Sequence, residues 1–138
     1  MHDEAACDAI ALSTTLPATP ADVFSAWLSS SGHTAMTGGK ADIRAEVGSS
    51  FTAWGGYIQG TVQALDPDQR IVLSWRTKDF PADAPDSQLE LTLTAIPEGT
   101  RLDLSHRHIP RGQGVRYHSG WHERYFAPMA RYFAGTSF

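Results

Sequence analysis

An aromatic stripe near the C-terminus constrains this chain more than any other feature. Tyr117, Trp121, Tyr125, Met129 and Tyr132 or Phe133 recur every three or four residues, the spacing that places side chains on one face of an α-helix. Such a stripe is too broad and aromatic to face water and needs a concave apolar partner. Just upstream, Thr100-Arg101-Leu102-Asp103-Leu104-Ser105-His106-Arg107-His108 alternates in polarity and runs into Ile109-Pro110, the pattern of a half-buried strand. A sheet wrapped around a helix is therefore expected, with any small-molecule site between the two.

The helix is expected over about 114–133, roughly 30 Å long at 1.5 Å per residue. Pro128 removes a backbone donor inside it, which predicts a kink or break just before that position.

The rest of the chain supplies the sheet. A first strand is expected at 9–16, ending at Pro17. Thr19, Pro20 and Asp22 read as an N-cap, a first helical position and an acidic first turn. Val23, Phe24, Ala26, Trp27 and Leu28 form that helix's buried face. Ser29-Ser30-Ser31-Gly32 breaks it, and a second short helical turn precedes Thr37-Gly38-Gly39. The period then changes to two: short strands are expected at 41–47, 50–54, 57–65, 70–76, 88–96 and 100–108. Turn sequences separate them, with Gly55-Gly56 the clearest two-residue hairpin. Strands joined by tight turns are antiparallel neighbours. The expectation is one α+β domain over 1–138, with a curved antiparallel sheet of about seven strands, two short helices after the first strand, and residues 1–8 as a disordered tail. Gly60, inside a strand, marks a bulge or a close approach, and Gly120 leaves room beside Trp121. The 79–87 loop carries Pro81, Pro85 and an expectedly exposed Phe80.

Bulk properties exclude several classes. At 138 residues, 41% hydrophobic and 19% charged, the chain is ordinary for a globular domain. A net charge of -4 argues against a nucleic-acid footprint. No apolar run approaches the roughly 18 residues that span a bilayer, and the acidic first residues are unlike a signal peptide. The single cysteine, Cys7, forms no internal disulfide, which fits a reducing cytoplasm.

Four histidines invite a metal reading: His106 and His108 on one strand face, His118 and His122 one turn apart on the helix. All four would have to converge, and His122 is rotated away from the stripe of Trp121 and Tyr125, so no metal or cofactor is expected. His106 and His118 are expected instead to be half-buried, hydrogen-bonded polar groups or a rim that orients a ligand. Phe24, Trp27, Met36, Phe51, Trp54, Ile58 and Trp75, with Tyr117, Trp121, Tyr125 and the polar His106, His108 and His118, are the expected cavity residues; the alternative is that the aromatics simply fill the core. No nucleophile constellation is present. Ser119 beside His118 and Ser105 beside His106 point in different directions, and Gly38-Gly39-Lys40 is too short for a phosphate loop.

Several segments taken in order resemble a known family. Met36-Thr37-Gly38-Gly39-Lys40-Ala41, Val47-Gly48-Ser49-Ser50-Phe51, Trp54-Gly55-Gly56-Tyr57-Ile58-Gln59-Gly60, Arg70-Ile71-Val72-Leu73-Ser74-Trp75-Arg76, Gly99-Thr100-Arg101-Leu102, His106 with Ile109-Pro110, and Gly120-Trp121 are together similar to homologues of the activator of heat-shock protein 90 ATPase. The resemblance covers about 12–133. It implies a START-like helix-grip fold of the SRPBCC superfamily, often with a cavity for an apolar ligand. In eukaryotic members this domain follows a separate N-terminal domain, and both engage the chaperone. The superfamily hosts binders, cyclases and structural modules alike. The leading expectation is a cytoplasmic, cofactor-free binder of a small apolar or aromatic molecule. A module that contacts a chaperone or pairs with itself is the alternative. A cyclase or hydrolase, for which only His106, His118 and Glu123 offer acid–base groups, is the third.

Overall fold

The computed structural model describes residues 7–135. Six strands form one antiparallel sheet: β1 (Cys7–Leu16), β2 (Ser50–Ala53), β3 (Ile58–Asp66), β4 (Arg70–Thr77), β5 (Ser87–Ile96) and β6 (Gly99–Pro110), in spatial order β1-β6-β5-β4-β3-β2. Helices α1 (Pro20–Trp27) and α2 (Ser30–Thr37) carry the chain from one sheet edge to the other. A rod made of α3 (Gly114–Trp121), a π-helical turn (His122–Phe126) and α4 (Ala127–Gly135) lies in the hollow of the curved sheet. Its stripe faces inward: Tyr117, Trp121, Tyr125, Met129 and Phe133 are all buried.

Local chemistry sets these boundaries. Thr19 Oγ1 accepts from the Asp22 amide and Pro20 opens α1, as capping rules require. Ser29 does the same for α2 through the Gly32 amide at 2.8 Å, so the serine run starts a helix as well as ending one. Gly60 is the close approach anticipated for it: a Cβ there would stand 1.9 Å from the Ser74 carbonyl oxygen. Asp8 closes the fold at one end, its carboxylate accepting from the amides of Gly112 (2.9 Å) and Gly114 (2.8 Å) where the C-terminal rod begins.

Several expectations are corrected. Residues 41–47 form no strand, only an isolated bridge between Asp42 and Thr52. Side chains of α2 take the backbone donors a ladder would use: Thr34 Oγ1 accepts from Ala41 N and Ser30 Oγ from Ile43 N, both at 2.9 Å. The sheet therefore has six strands. The Gly55-Gly56 hairpin is real but wider, with Ala53 opposite Ile58 and four residues between them. Cys7 and Asp8, expected within a disordered tail over 1–8, belong to β1; residues 1–6 lie outside the described residues. The rod does not break before Pro128. Its preceding turn widens, with Ala127 N–H reaching the His122 carbonyl five residues back, a local π geometry. Phe80 is buried, packed on Trp75 and Tyr117 with both ring centroids 6.1 Å away and the Arg76 guanidinium over its ring.

Candidate functional site

A cleft of about 450 Å³ opens between the β2–β3 hairpin and one flank of the rod. Trp54, Tyr57, Ile58 and Trp75 wall it on the sheet side. Tyr117, Gly120, Trp121 and Tyr125 wall it on the helix side, with Arg116, Ser119, Glu123 and Arg124 along the same flank. The walls are ring against ring: Trp75 meets Tyr117 at 5.0 Å nearly perpendicular and Trp121 at 5.7 Å, and Trp121 meets Tyr125 at 4.7 Å. Edge and tilted contacts of this kind suit aromatic quadrupoles. Nothing lies within 4 Å of a Cβ built on Gly120, so that side of the cleft is vacant.

Trp54 holds the hairpin end of the cleft in an unusual way. It has φ 52°, followed by Gly55 at 67° and Gly56 at 96°, so three consecutive residues are left-handed. A non-glycine residue there is uncommon. Gly39 packs so tightly on the indole that a Cβ would come within 2.3 Å of it, and Arg124 sits 5.4 Å from the ring centre. The Gly38-Gly39 pair thus makes room for a tryptophan, and no phosphate-loop chemistry is needed to account for it.

A buried polar chain runs behind the aromatic wall. Trp121 Nε1 donates to His106 Nδ1 at 3.1 Å, His106 Nε2 lies 2.8 Å from Ser87 Oγ, and Ser87 Oγ donates to the Trp75 carbonyl at 2.8 Å. An indole N–H only donates, so Nδ1 must accept and Nε2 must carry the proton. Every polar atom of this chain then has a partner. Burial pushes the His106 pKa down to about 3, so the ring stays neutral. A second buried histidine, His33, donates from Nδ1 to the Trp27 carbonyl at 2.8 Å and accepts the Tyr125 hydroxyl at Nε2, 3.0 Å away. Burial lowers its pKa and raises that of Tyr125. At the cleft's outer end the Thr77 hydroxyl meets the Tyr117 phenol at 2.7 Å, which donates to Gln113 Oε1 at 2.8 Å; burial pushes the Tyr117 pKa up to about 12. Asp79 ties Tyr57 to Arg116 beside them, the Arg116–Asp79 pair closing at 3.0 Å.

Of the expected cavity residues, Trp54, Ile58, Trp75, Tyr117, Trp121 and Tyr125 come together at the cleft. Trp27, Met36 and Phe51 are core, and Phe24 is half-buried against it. His106 stands behind Trp75 and Trp121, fully buried where half-burial was expected. His108 does not share its face. The β1–β6 register shifts between Asp8 and Ile10, and His108 adopts φ 63° and turns to solvent, because an extra residue in a strand resets the alternation. His118 is also exposed, its ring 5.3 Å from that of His122 on the outside of the rod. Among the described residues, no group of three or more His, Cys, Asp or Glu is placed to hold a metal ion. Sequence reasoning missed His33, which lies in the short helical turn expected after the serine run, and the cleft flank of Arg116 and Arg124, while the room at Gly120 beside Trp121 was anticipated. Arg116 and Arg124 sit one residue before Tyr117 and Tyr125 of the stripe, a periodicity that was available.

A curved antiparallel sheet holding a long C-terminal helix, with an aromatic cleft between them, defines an α+β helix-grip domain. Residues 17–134 match the family described as "Activator of Hsp90 ATPase homolog 1-like protein", and the chain belongs to that family. It is 28% identical over 126 residues to the human protein named activator of 90 kDa heat shock protein ATPase homolog 1; this match covers 90% of the chain and 36% of the relative. The chain therefore spans about a third of the length of the curated relatives it matches. Among solved structures, a protein from Mesorhizobium loti superposes with a TM-score of 0.78 at 21% identity, covering 95% of this chain and 100% of that one. An HSP90 activator from Plasmodium falciparum superposes with a TM-score of 0.75 at 22% identity, covering 88% and 91%. At these identities the likeness is one of fold. No helix among the described residues is long and apolar enough to cross a membrane.

Proposed function

We propose that this domain binds a small apolar or aromatic molecule in the cleft between the β2–β3 hairpin and the C-terminal rod, working in the cytoplasm. The observation that carries the reading is a vacant, aromatic-walled space of about 450 Å³, within the size range of ligand pockets, beside a glycine whose missing side chain leaves it open. Apolar burial against Trp75, Trp121 and Ile58 supplies affinity, and the Tyr57 and Tyr117 hydroxyls with Arg124 orient a polar end. Native mass spectrometry of freshly purified protein, followed by a thermal-shift screen with fatty acids, flavonoids and aromatic metabolites, is the test. A bound or stabilising compound whose effect disappears in Gly120→Leu supports it. Hits that act equally on Gly120→Leu, or no hit at all, overturn it.

Family membership favours a second reading, engagement of an Hsp90-type chaperone. A pull-down and ATPase assay with the cognate chaperone decides it: unchanged turnover and no capture count against it. A cyclase or hydrolase role finds less support. Of its three acid–base candidates only Glu123 lines the cleft.

A further inference from the structure

Three charged residues line the cleft, Arg116, Glu123 and Arg124, and they are not equivalent. The Arg116 guanidinium is neutralised by Asp79 at 3.0 Å, whose carboxylate also accepts the Tyr57 hydroxyl. Arg124 has no such partner. Among the described residues its guanidinium makes no ion pair and no hydrogen bond, and it rests over the Trp54 ring, 5.4 Å from the centre. A guanidinium stacked on an indole uses its flat face and keeps the N–H donors of its edge free, in the fork that matches a carboxylate. The hairpin fixes where that fork stands, since Trp54 sits on the left-handed turn with Gly39 against its ring. On the rod, Arg124 follows Gly120 by four residues, the spacing of neighbours along one helix face. An occupant of the vacant space beside Gly120 therefore has an unpaired guanidinium at its end.

Aromatic walls by themselves would suit a cation. Here the protein's own cations already hold two of the ring faces, Arg124 over Trp54 and Arg116 over Tyr117, 6.0 Å from its centre. A second cation would meet like charge at both ends. Glu123 opposes an anion, but it pairs with neither arginine, and adjacent helix positions such as 123 and 124 point in different directions. It weakens the attraction and does not cancel it.

We propose that the cleft selects an anion: a flat aromatic molecule with a carboxylate, its ring beside Gly120 and its carboxylate on the Arg124 guanidinium. This rests on the reading of the cleft as a ligand site and adds the ligand's charge and the residue that recognises it.

Isothermal titration calorimetry at neutral pH with three probes of one shape tests it: naphthoate, its neutral amide naphthamide, and the cation naphthylmethylammonium. Naphthoate is expected to bind at least about tenfold more tightly than the amide. Arg124→Gln, at an exposed position, should close that gap to about twofold or less, and Glu123→Gln should widen it by about two- to fivefold. Thermal melts of both variants check that the domain stays folded. Equal binding of naphthoate and amide to the wild-type chain, or a gap that survives Arg124→Gln, overturns the anion inference and leaves the cleft reading intact. Tightest binding of the cation overturns it in favour of Glu123. Binding of none of the three sinks the cleft reading and this inference with it.

Discussion

The indole of Trp121 donates its proton to Nδ1 of His106 across 3.1 Å, and that contact decides the protonation of a residue on a different element. With Nδ1 occupied as an acceptor, the imidazole is neutral and its remaining proton points to Ser87. The polar group behind the aromatic wall is thus a strut between β6, β5 and the rod.

The first prediction is acid sensitivity. His106 in the folded protein holds off its proton until about pH 3, whereas the unfolded chain takes it near 6.5. Above pH 6.5 both states are neutral and the residue contributes no slope. Below it the unfolded state binds the extra proton, so stability falls with pH, by about 2 kcal/mol between 6.5 and 5. His33, also lowered by burial, acts in the same direction. Urea denaturation at pH 7.5 and 5.0 measures the slope, and His106→Gln is expected to flatten part of it. An unchanged slope in that variant removes His106 from the explanation.

Trp121→Phe keeps a ring in the wall and deletes the donor. It leaves Nδ1 of a fully buried histidine without a partner, a loss of about 1–3 kcal/mol. In Trp121→Phe/His106→Leu the orphaned acceptor is gone too. The double variant is expected to lose less than the sum of the single ones, as a double-mutant cycle in urea would show.

Two glycines, Gly120 at the cleft and Gly60 inside β3, separate by sign. Gly120→Ala adds a methyl group where nothing lies within 4 Å and gains helix propensity, so it is expected to stabilise by about 0.5–1 kcal/mol. Gly60→Ala places a methyl group 1.9 Å from the Ser74 carbonyl. The strands must part, at a cost of about 2 kcal/mol or more. Thermal melts of the pair should move in opposite directions.

Asp8→Ala removes the acceptor shared by two amides at the start of the rod. Losses of this kind run at about 0.5–2 kcal/mol. Hydrogen exchange at the Gly112 and Gly114 amides should rise more than at Met129, deep in the rod.

Much of this architecture was readable because alternation and turn residues agree. β5 and β6 follow the polar–apolar pattern of residues 88–108 closely, and Tyr117, Trp121 and Tyr125 declare the helix face. What escaped depends on partners distant in sequence. Residues 41–47 have strand-like composition, but Ser30 and Thr34 of α2 take their amide donors. His108 leaves the face of His106 through a register shift against β1, which alternation within β6 cannot reveal. Phe80 reads as a loop residue, yet Trp75 and Tyr117 form a slot for it. The cleft floor follows from the stripe. Its rim does not, because Arg116 and Arg124 look like ordinary solvated positions until Asp79 and Trp54 come alongside them.

The widened turn at His122–Phe126 has a consequence for chain length. Inward side chains at 117, 121, 125, 129 and 133 are four apart throughout, and in a regular α-helix such a row would drift around the axis. Taking out one outward residue, Glu123, changes those intervals to four, three, four and four, which a regular helix satisfies unaided. The rod therefore holds a surplus residue, and Pro128 opposes its removal, since a regular turn would aim a carbonyl at the proline ring. Deleting Glu123 alone should unsettle the domain, and deleting it together with Pro128→Ala should restore a straight helix that still fills the sheet.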